Sequence, residues 1–156
     1  MKLLCSLFLS SLLVACTYSV TADDNLLKAR NLWSQIDPAN YDYLLTQRCY
    51  CLQAYQQPMR VSVRNGVVAS AVYTNKQAVV EGMDASGMVH TKILKSLKTV
   101  DDWFDYLEKG QLEGYFKLDA RFNPELGYPE QIISDRRKEV ADDEMEIMIS
   151  DLVIIN

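Results

Sequence analysis

Residues 59–73, MRVSVRNGVVASAVY, narrow the fold more than any other part of this chain. Asn65-Gly66 is a strong hairpin signal, because both residues tolerate the positive φ that a two-residue turn between right-twisted strands requires. With those two residues as the loop, Val63 faces Val68, Val61 faces Ser70 and Met59 faces Val72. One face of the hairpin is then mostly apolar, while the other carries Arg60, Ser62 and Arg64. Turn chemistry and alternation agree on one register, which points to an antiparallel sheet with one dry and one wet face.

The flanking segments fill in the layout. Asp23 or Asp24 can cap a helix in which Leu26, Ala29, Trp33 and Ile36 share one face. Asp37-Pro38 stops it, since the residue before a proline avoids the helical region. A strand follows in YDYLLTQRCYC. Thr99 caps a second helix, with Asp101 and Asp102 in its first turn, an apolar stripe at Val100, Trp103, Phe104 and Leu107, and Gly110 to end it. That aromatic stripe reads as core rather than as a cofactor box. Phe116, Leu118, Ala120 and Phe122 then alternate with Tyr115, Lys117, Asp119 and Arg121, and YPEQIISD and EMEIMISDLVII complete the strands. The expected class is α+β: an antiparallel sheet of about five to six strands with two helices packed on one face. The other face is the natural place for a partner, together with the unpatterned stretch of residues 75–98.

The N-terminus speaks to location. MKLLCSLFLSSLLVAC has one positive charge at Lys2, an apolar run too short for a transmembrane helix of about 20 residues, and Leu-Val-Ala-Cys at its end. These four residues resemble a bacterial lipobox, which implies a signal peptide over residues 1–15 and acylation at Cys16. Residues 16–22 would then be a tether and 23–156 a single domain. Thr17 after the cysteine favours the outer membrane, by likeness to Gram-negative lipoproteins. The alternative is ordinary cleavage after Ala22, giving a soluble periplasmic or secreted protein.

Charge excludes one class of partner. The chain carries 16 Lys and Arg against 21 Asp and Glu; loss of Lys2 makes this 15 − 21 = −6. Arg136-Arg137-Lys138 is its one basic cluster, and neighbouring acids make it a solvated hairpin loop, so no nucleic-acid partner is expected. No cofactor is expected either. The lone His90 and the absence of a Gly-x-Ser-x-Gly elbow leave a hydrolytic triad without a cast. Asp142-Asp143-Glu144 matches no calcium loop and reads as a hairpin end.

Cys49 and Cys51 are the best chemical lead. Of four cysteines, Cys5 leaves with the signal and Cys16 is acylated or lost. A close pair left in an oxidising compartment is expected to oxidise. Residues i and i+2 of a strand lie about 6.6–6.8 Å apart, whereas disulfides prefer about 5.5–6 Å, so the bond needs a bend. Reduced thiols, a redox pair and a metal site remain alternatives; a zinc set is short of ligands, although thiolates with methionines can hold Cu(I).

WSQIDPANYDYLLTQRCYC, VSVRNGVVASAVY, TVDDWFDYLEKG, NPELGYPEQIISD and DDEMEIMISDL, in this order, resemble the bacterial secreted proteins and lipoproteins grouped as domain of unknown function 6174. The resemblance spans Trp33 to Leu152. It implies family-typical positions at Trp33, Tyr41, Tyr43, Cys49, Cys51, Gly66, Phe104, Gly127, Tyr128, Pro129, Asp135, Asp143 and Glu144. Asn123 departs from the Asp expected before Pro-Glu-Leu-Gly-Tyr-Pro, which counts against a cation in that loop. The resemblance carries no activity. The functional expectation is therefore a non-enzymatic envelope lipoprotein, held in the membrane by Cys16 and binding an envelope protein or other periplasmic ligand. The alternative is a thiol redox or metal-handling protein using Cys49 and Cys51.

Overall fold

The structure is a computed structural model that describes residues 22–75 and 89–155. The expected signal peptide, Cys16 and the tether up to residue 21 lie outside these residues, as does most of the unpatterned stretch, 76–88. Six strands form one antiparallel sheet: β1 (Tyr41–Cys49), β2 (Met59–Arg64), β3 (Val67–Tyr73), β4 (Lys117–Phe122), β5 (Pro129–Asp135) and β6 (Met145–Ile154). Their order across the sheet is β3-β2-β1-β6-β5-β4. Two three-stranded meanders thus meet where β1 pairs with the C-terminal strand.

Four helices occur among the described residues, which corrects the expected two. The long ones are α1 (Ala22–Ile36) and α4 (Val100–Glu113); α2 (Gln53–Gln56) and α3 (Thr91–Leu94) are single turns. Short helical turns carry no periodic stripe, so the apolar pattern did not announce them. Val89 returns to the sheet through its amide, which donates to Ala71. His90 then caps α3 by accepting from the Lys92 amide at 3.4 Å.

One row of side chains on each strand points into the core. Tyr41, Tyr43 and Leu45 lie opposite Val63, Val61 and Met59. Ile149 and Ile147 continue the row from Leu45 and Gln47, and Ile132 faces Ile147. All of these except Gln47 are buried. From α1 come Leu26, Ala29 and Trp33, and from α4 Val100, Trp103, Phe104 and Leu107, all buried. Ile36, expected on the apolar face of α1, is half-exposed at the helix end.

Side-chain hydroxyls fix α4 to the sheet. The Tyr41 hydroxyl accepts from the Val100 amide at 2.9 Å, and the Tyr43 hydroxyl donates to the Lys98 carbonyl. Thr99 adds a capping box, its hydroxyl accepting from the Asp102 amide while the Asp102 carboxylate accepts from the Thr99 amide at 2.8 Å. On α1, Trp33 meets Tyr41 edge-on at 5.2 Å. Arg30 pairs with Asp105 and Glu108 of α4 at 2.8 and 2.6 Å.

Two expectations need correction. The hairpin turn forms as read, with φ of +52° at Asn65 and +73° at Gly66. The register, however, shifts after Val63↔Val68, and Val61 lies opposite Ala71 and Met59 opposite Tyr73. A bulge places an extra residue on β3, which turns Ala71 and Tyr73 inward in place of Ser70 and Val72. That exchange buries an aromatic ring, and alternation alone does not reveal it. Gly110 likewise does not end α4. It is buried within the helix, where a Cβ would come within 2.9 Å of Leu118 and 3.0 Å of Tyr115. The stop is Gly114, at φ +67°, whose amide donates to Gln111 and Gly110 carbonyls.

Gly127 joins the β4–β5 loop to α1. Its φ is +83°, and a Cβ there would lie 2.3 Å from the Ala29 carbonyl oxygen and 3.0 Å from the Trp33 amide. Gly66 has a similar φ but nothing within 4 Å of the added atom. Gly127→Ala is therefore expected to lower stability by about 2–4 kcal/mol, and Gly66→Ala by about 1–2 kcal/mol, measured from urea unfolding midpoints. Equal losses would show that contact with α1 does not set the cost.

Candidate functional site

A cavity of about 650 Å³ opens where α4 stops covering the inward row of β1 and β6. Leu45, Gln47 and Met145 form its sheet side, Trp103 and Tyr106 its α4 side, and Cys51, Tyr55 and Leu97 close a third. Along α4 and the chain after it, three rings make a row: Trp103 to Tyr106 at 5.8 Å and Tyr106 to Tyr115 at 6.0 Å, both edge-on. A cation sits over each end, Lys98 over Trp103 at 5.8 Å and Arg136 over Tyr115 at 5.7 Å. Desolvation by burial raises the Tyr115 phenol above its ordinary value despite the opposing charge of Arg136.

Most polar groups around the cavity have structural tasks. The Tyr106 hydroxyl is bonded to Ser134 at 2.7 Å. Asp102 serves the cap of α4, Asp105 pairs with Arg30, and Glu113 pairs with Lys109 at 3.7 Å. The exception is Trp103, which is 4% exposed and whose indole N–H has no partner in bonding geometry. The Tyr43 hydroxyl, which donates to Lys98 and keeps lone pairs that can accept, stands against this N–H from the core.

The two cysteines form a disulfide with Cα atoms 5.2 Å apart, so the bend that an extended strand demanded is present. β1 ends at Cys49, Tyr50 turns to solvent at 81% exposure, and the chain continues into α2. The Gln56 side chain holds the new direction by donating to the Cys51 carbonyl at 2.9 Å. Cys51 lines the cavity just described, whereas Cys49 and Tyr50 line a second groove of about 450 Å³ with Asp135, Glu144 and Glu146.

A model of a family of unknown function, DUF6174, matches residues 25–154. The chain belongs to that family. No curated protein and no solved structure matches it. For a DUF6174 member this chain brings together an instructive subset of the positions singled out from its sequence. Cys49, Asp135 and Glu144 share the second groove, and Asp143 reaches Asp135 from the β5–β6 loop. Trp33, Tyr41, Tyr43, Phe104, Gly127 and Tyr128 lie in or against the core instead.

Other sequence candidates fall elsewhere. His90 caps α3, and among the described residues no group of three or more His, Cys, Asp or Glu side chains is placed to hold a metal ion. Asn123 organises its own loop: its Oδ1 accepts from the Glu125 and Leu126 amides and its Nδ2 donates to Glu130 at 3.0 Å. A carboxylate there could not make that last bond. Sequence reasoning missed Tyr55, Tyr106, Tyr115 and Arg136 as neighbours. Tyr106, three residues after Trp103, was the available signal, whereas the others arrive through the tertiary fold.

Asp143 was read as part of a hairpin end, and it does lie in the β5–β6 connection, but it is not solvated there. Its side chain is 15% exposed, both of its oxygens and Asp135 Oδ1 are closed off from solvent without a hydrogen-bond donor, and the nearest cation is Arg137 Nε at 3.5 Å. Desolvation, reinforced by the facing Asp143 carboxyl, raises Asp135 above the usual carboxylate range. A carboxyl whose folded pKa is raised keeps its proton longer in the folded state. Stability from this pair is then present below the ordinary carboxylate range and is lost as pH rises through the shifted value. Asp143→Asn is expected to raise the melting temperature at neutral pH and to flatten its fall between pH 4 and 7; a lowered melting temperature at pH 7 would contradict this. The paired substitution Cys49→Ser, Cys51→Ser should cost only about 1.6 kcal/mol by loop entropy, read from denaturant unfolding of the oxidised and substituted proteins.

Proposed function

We propose that this DUF6174 protein is a non-enzymatic binding module of the bacterial envelope, anchored in the outer membrane through an acylated Cys16. The observation that carries the reading is the cavity beside the disulfide. It has an aromatic wall, an apolar floor and, at its mouth, two cations over rings, Lys98 and Arg136, that form no ion pair with the carboxylates lining it, which is the make-up of a binding pocket. The surrounding hydroxyls and carboxylates are taken up by caps, ion pairs and inter-element bonds, so what the cavity offers is recognition. The outer sheet face, one of the docking surfaces expected from the sequence, is laced with its own pairs, Arg64 with Asp42 at 2.8 Å and Arg48 with Glu146 at 3.2 Å. That favours the cavity over the face.

A second reading has its own support. The disulfide stands between two concave surfaces, so its reduction would reshape both, as a thiol redox protein would need. A reduction potential below about −300 mV, the range of structural disulfides, would remove this option.

Mass spectrometry of the mature protein from native membranes tests the main reading, with acylation at Cys16 and a two-dalton deficit for the disulfide expected. Crosslinking in the same membranes should capture a partner or ligand. An unacylated chain that starts at Asp23 would overturn the anchor, and turnover of a substrate would overturn the non-enzymatic role.

A further inference from the structure

We infer that the cavity takes a small aromatic carboxylate, its ring body against Trp103 and Tyr106 and its acid group on Arg136. This deepens the binding-module reading and rests on it.

Size comes first. A cavity of about 650 Å³ is roughly four times the ~150 Å³ that encloses a benzene. A body of about two fused rings fits with room for a polar head. The floor is Leu45, Trp103 and Tyr106, all buried, so the inner part of the ligand must be apolar. The row of edge-on rings offers faces and edges to another aromatic ring, and ring pairs of this kind favour aromatic over merely apolar partners.

Charge selects the head. Three carboxylates border the cavity, and each is already held: Asp102 in the cap of α4, Asp105 by Arg30 and Glu113 by Lys109. Lys98 and Arg136 form no ion pair with any of them. Among the described residues, the charge at the mouth that no carboxylate matches is therefore positive, Lys98 and Arg136. Both ask for an anionic acceptor. Arg136 is the stronger recogniser of a carboxylate, because its planar fork makes two parallel bonds where an ammonium offers a point charge.

Calorimetric titration of the full chain, carrying Cys16→Ser to keep acyl chains out of the measurement, tests this with 2-naphthoate and its neutral analogue 2-naphthamide. One saturable site is expected, with the amide at least about tenfold weaker. Arg136→Gln, at an exposed position, should weaken 2-naphthoate by at least about tenfold, and Lys98→Gln by less. Circular dichroism of each variant separates lost binding from lost folding, and Lys28→Gln, exposed on α1 away from the cavity, serves as a surface control expected to bind normally. Absence of a saturable site, or 2-naphthoate binding indifferent to Arg136→Gln in a folded protein, overturns the inference. If that result coincides with a crosslinked envelope partner, the binding-module reading survives; if nothing binds in either experiment, both fall.

Discussion

Two tyrosine hydroxyls, those of Tyr41 and Tyr43, hold the start of α4 to the central strand of the sheet. A helix begins with four amides that lack intrahelical partners, and burying them unpaired is costly. Here Thr99 and Asp102 satisfy two, and Tyr41 reaches from β1 to satisfy that of Val100. The phenols are themselves deep in the core, and desolvation pushes both well above the usual tyrosine range. Neutral at any ordinary pH, they act as fixed hydrogen-bonding posts. Because they are neighbours on one row of one strand, they set both the position of α4 and its direction over the sheet.

Much else follows from that placement. Once α4 is fixed at Val100, its turns bring Trp103, Phe104 and Leu107 onto the inward row and Asp105 and Glu108 onto Arg30 of α1. The exposed ion pairs contribute little energy singly, about 0–1 kcal/mol, yet Arg30 also lies over the Phe104 ring at 5.8 Å and so helps set the spacing of the two helices. Beyond Leu45 the inward row runs on to Gln47 and Cys49 while the helix departs, and the unfilled space is the cavity. A well-packed interior leaves few voids much larger than a water, so an opening of this size, lined by rings, stands out as a feature of the fold.

Sequence legibility followed the range of the forces involved. The hairpin turn, the Thr99 cap of α4 and its apolar stripe at Val100, Trp103, Phe104 and Leu107 were all readable, because each depends on residues a few positions apart. The bulge on β3 was not: it resolves a competition between Val72 and Tyr73 for the core that only the packed sheet decides. Gly110 was misread because its reason for being glycine is contact with Leu118 and Tyr115. The site suffered most. Trp103 was legible as core, but its second role depends on Arg136, Tyr115 and Tyr55, which reach it by tertiary folding alone. Asp143 looked like one acid in a solvated run, and its burial against Asp135 depends on how the β5–β6 loop folds back.

The disulfide gains meaning from the same geometry. Closing so short a loop constrains the unfolded chain very little, so global stability is a weak reason for placing two cysteines there. Its local effect is large by comparison: the Cα atoms draw in to 5.2 Å, β1 stops, Tyr50 turns outward and α2 starts beside the cavity. Cys51 faces the cavity and Cys49 the groove that holds Asp135 and Glu144. A strand that ran on without this bend would carry residue 51 out along the sheet and remove the wall that Cys51 and Tyr55 supply. The bond therefore acts on shape, fixing the end of one strand so that two concave surfaces keep a common wall.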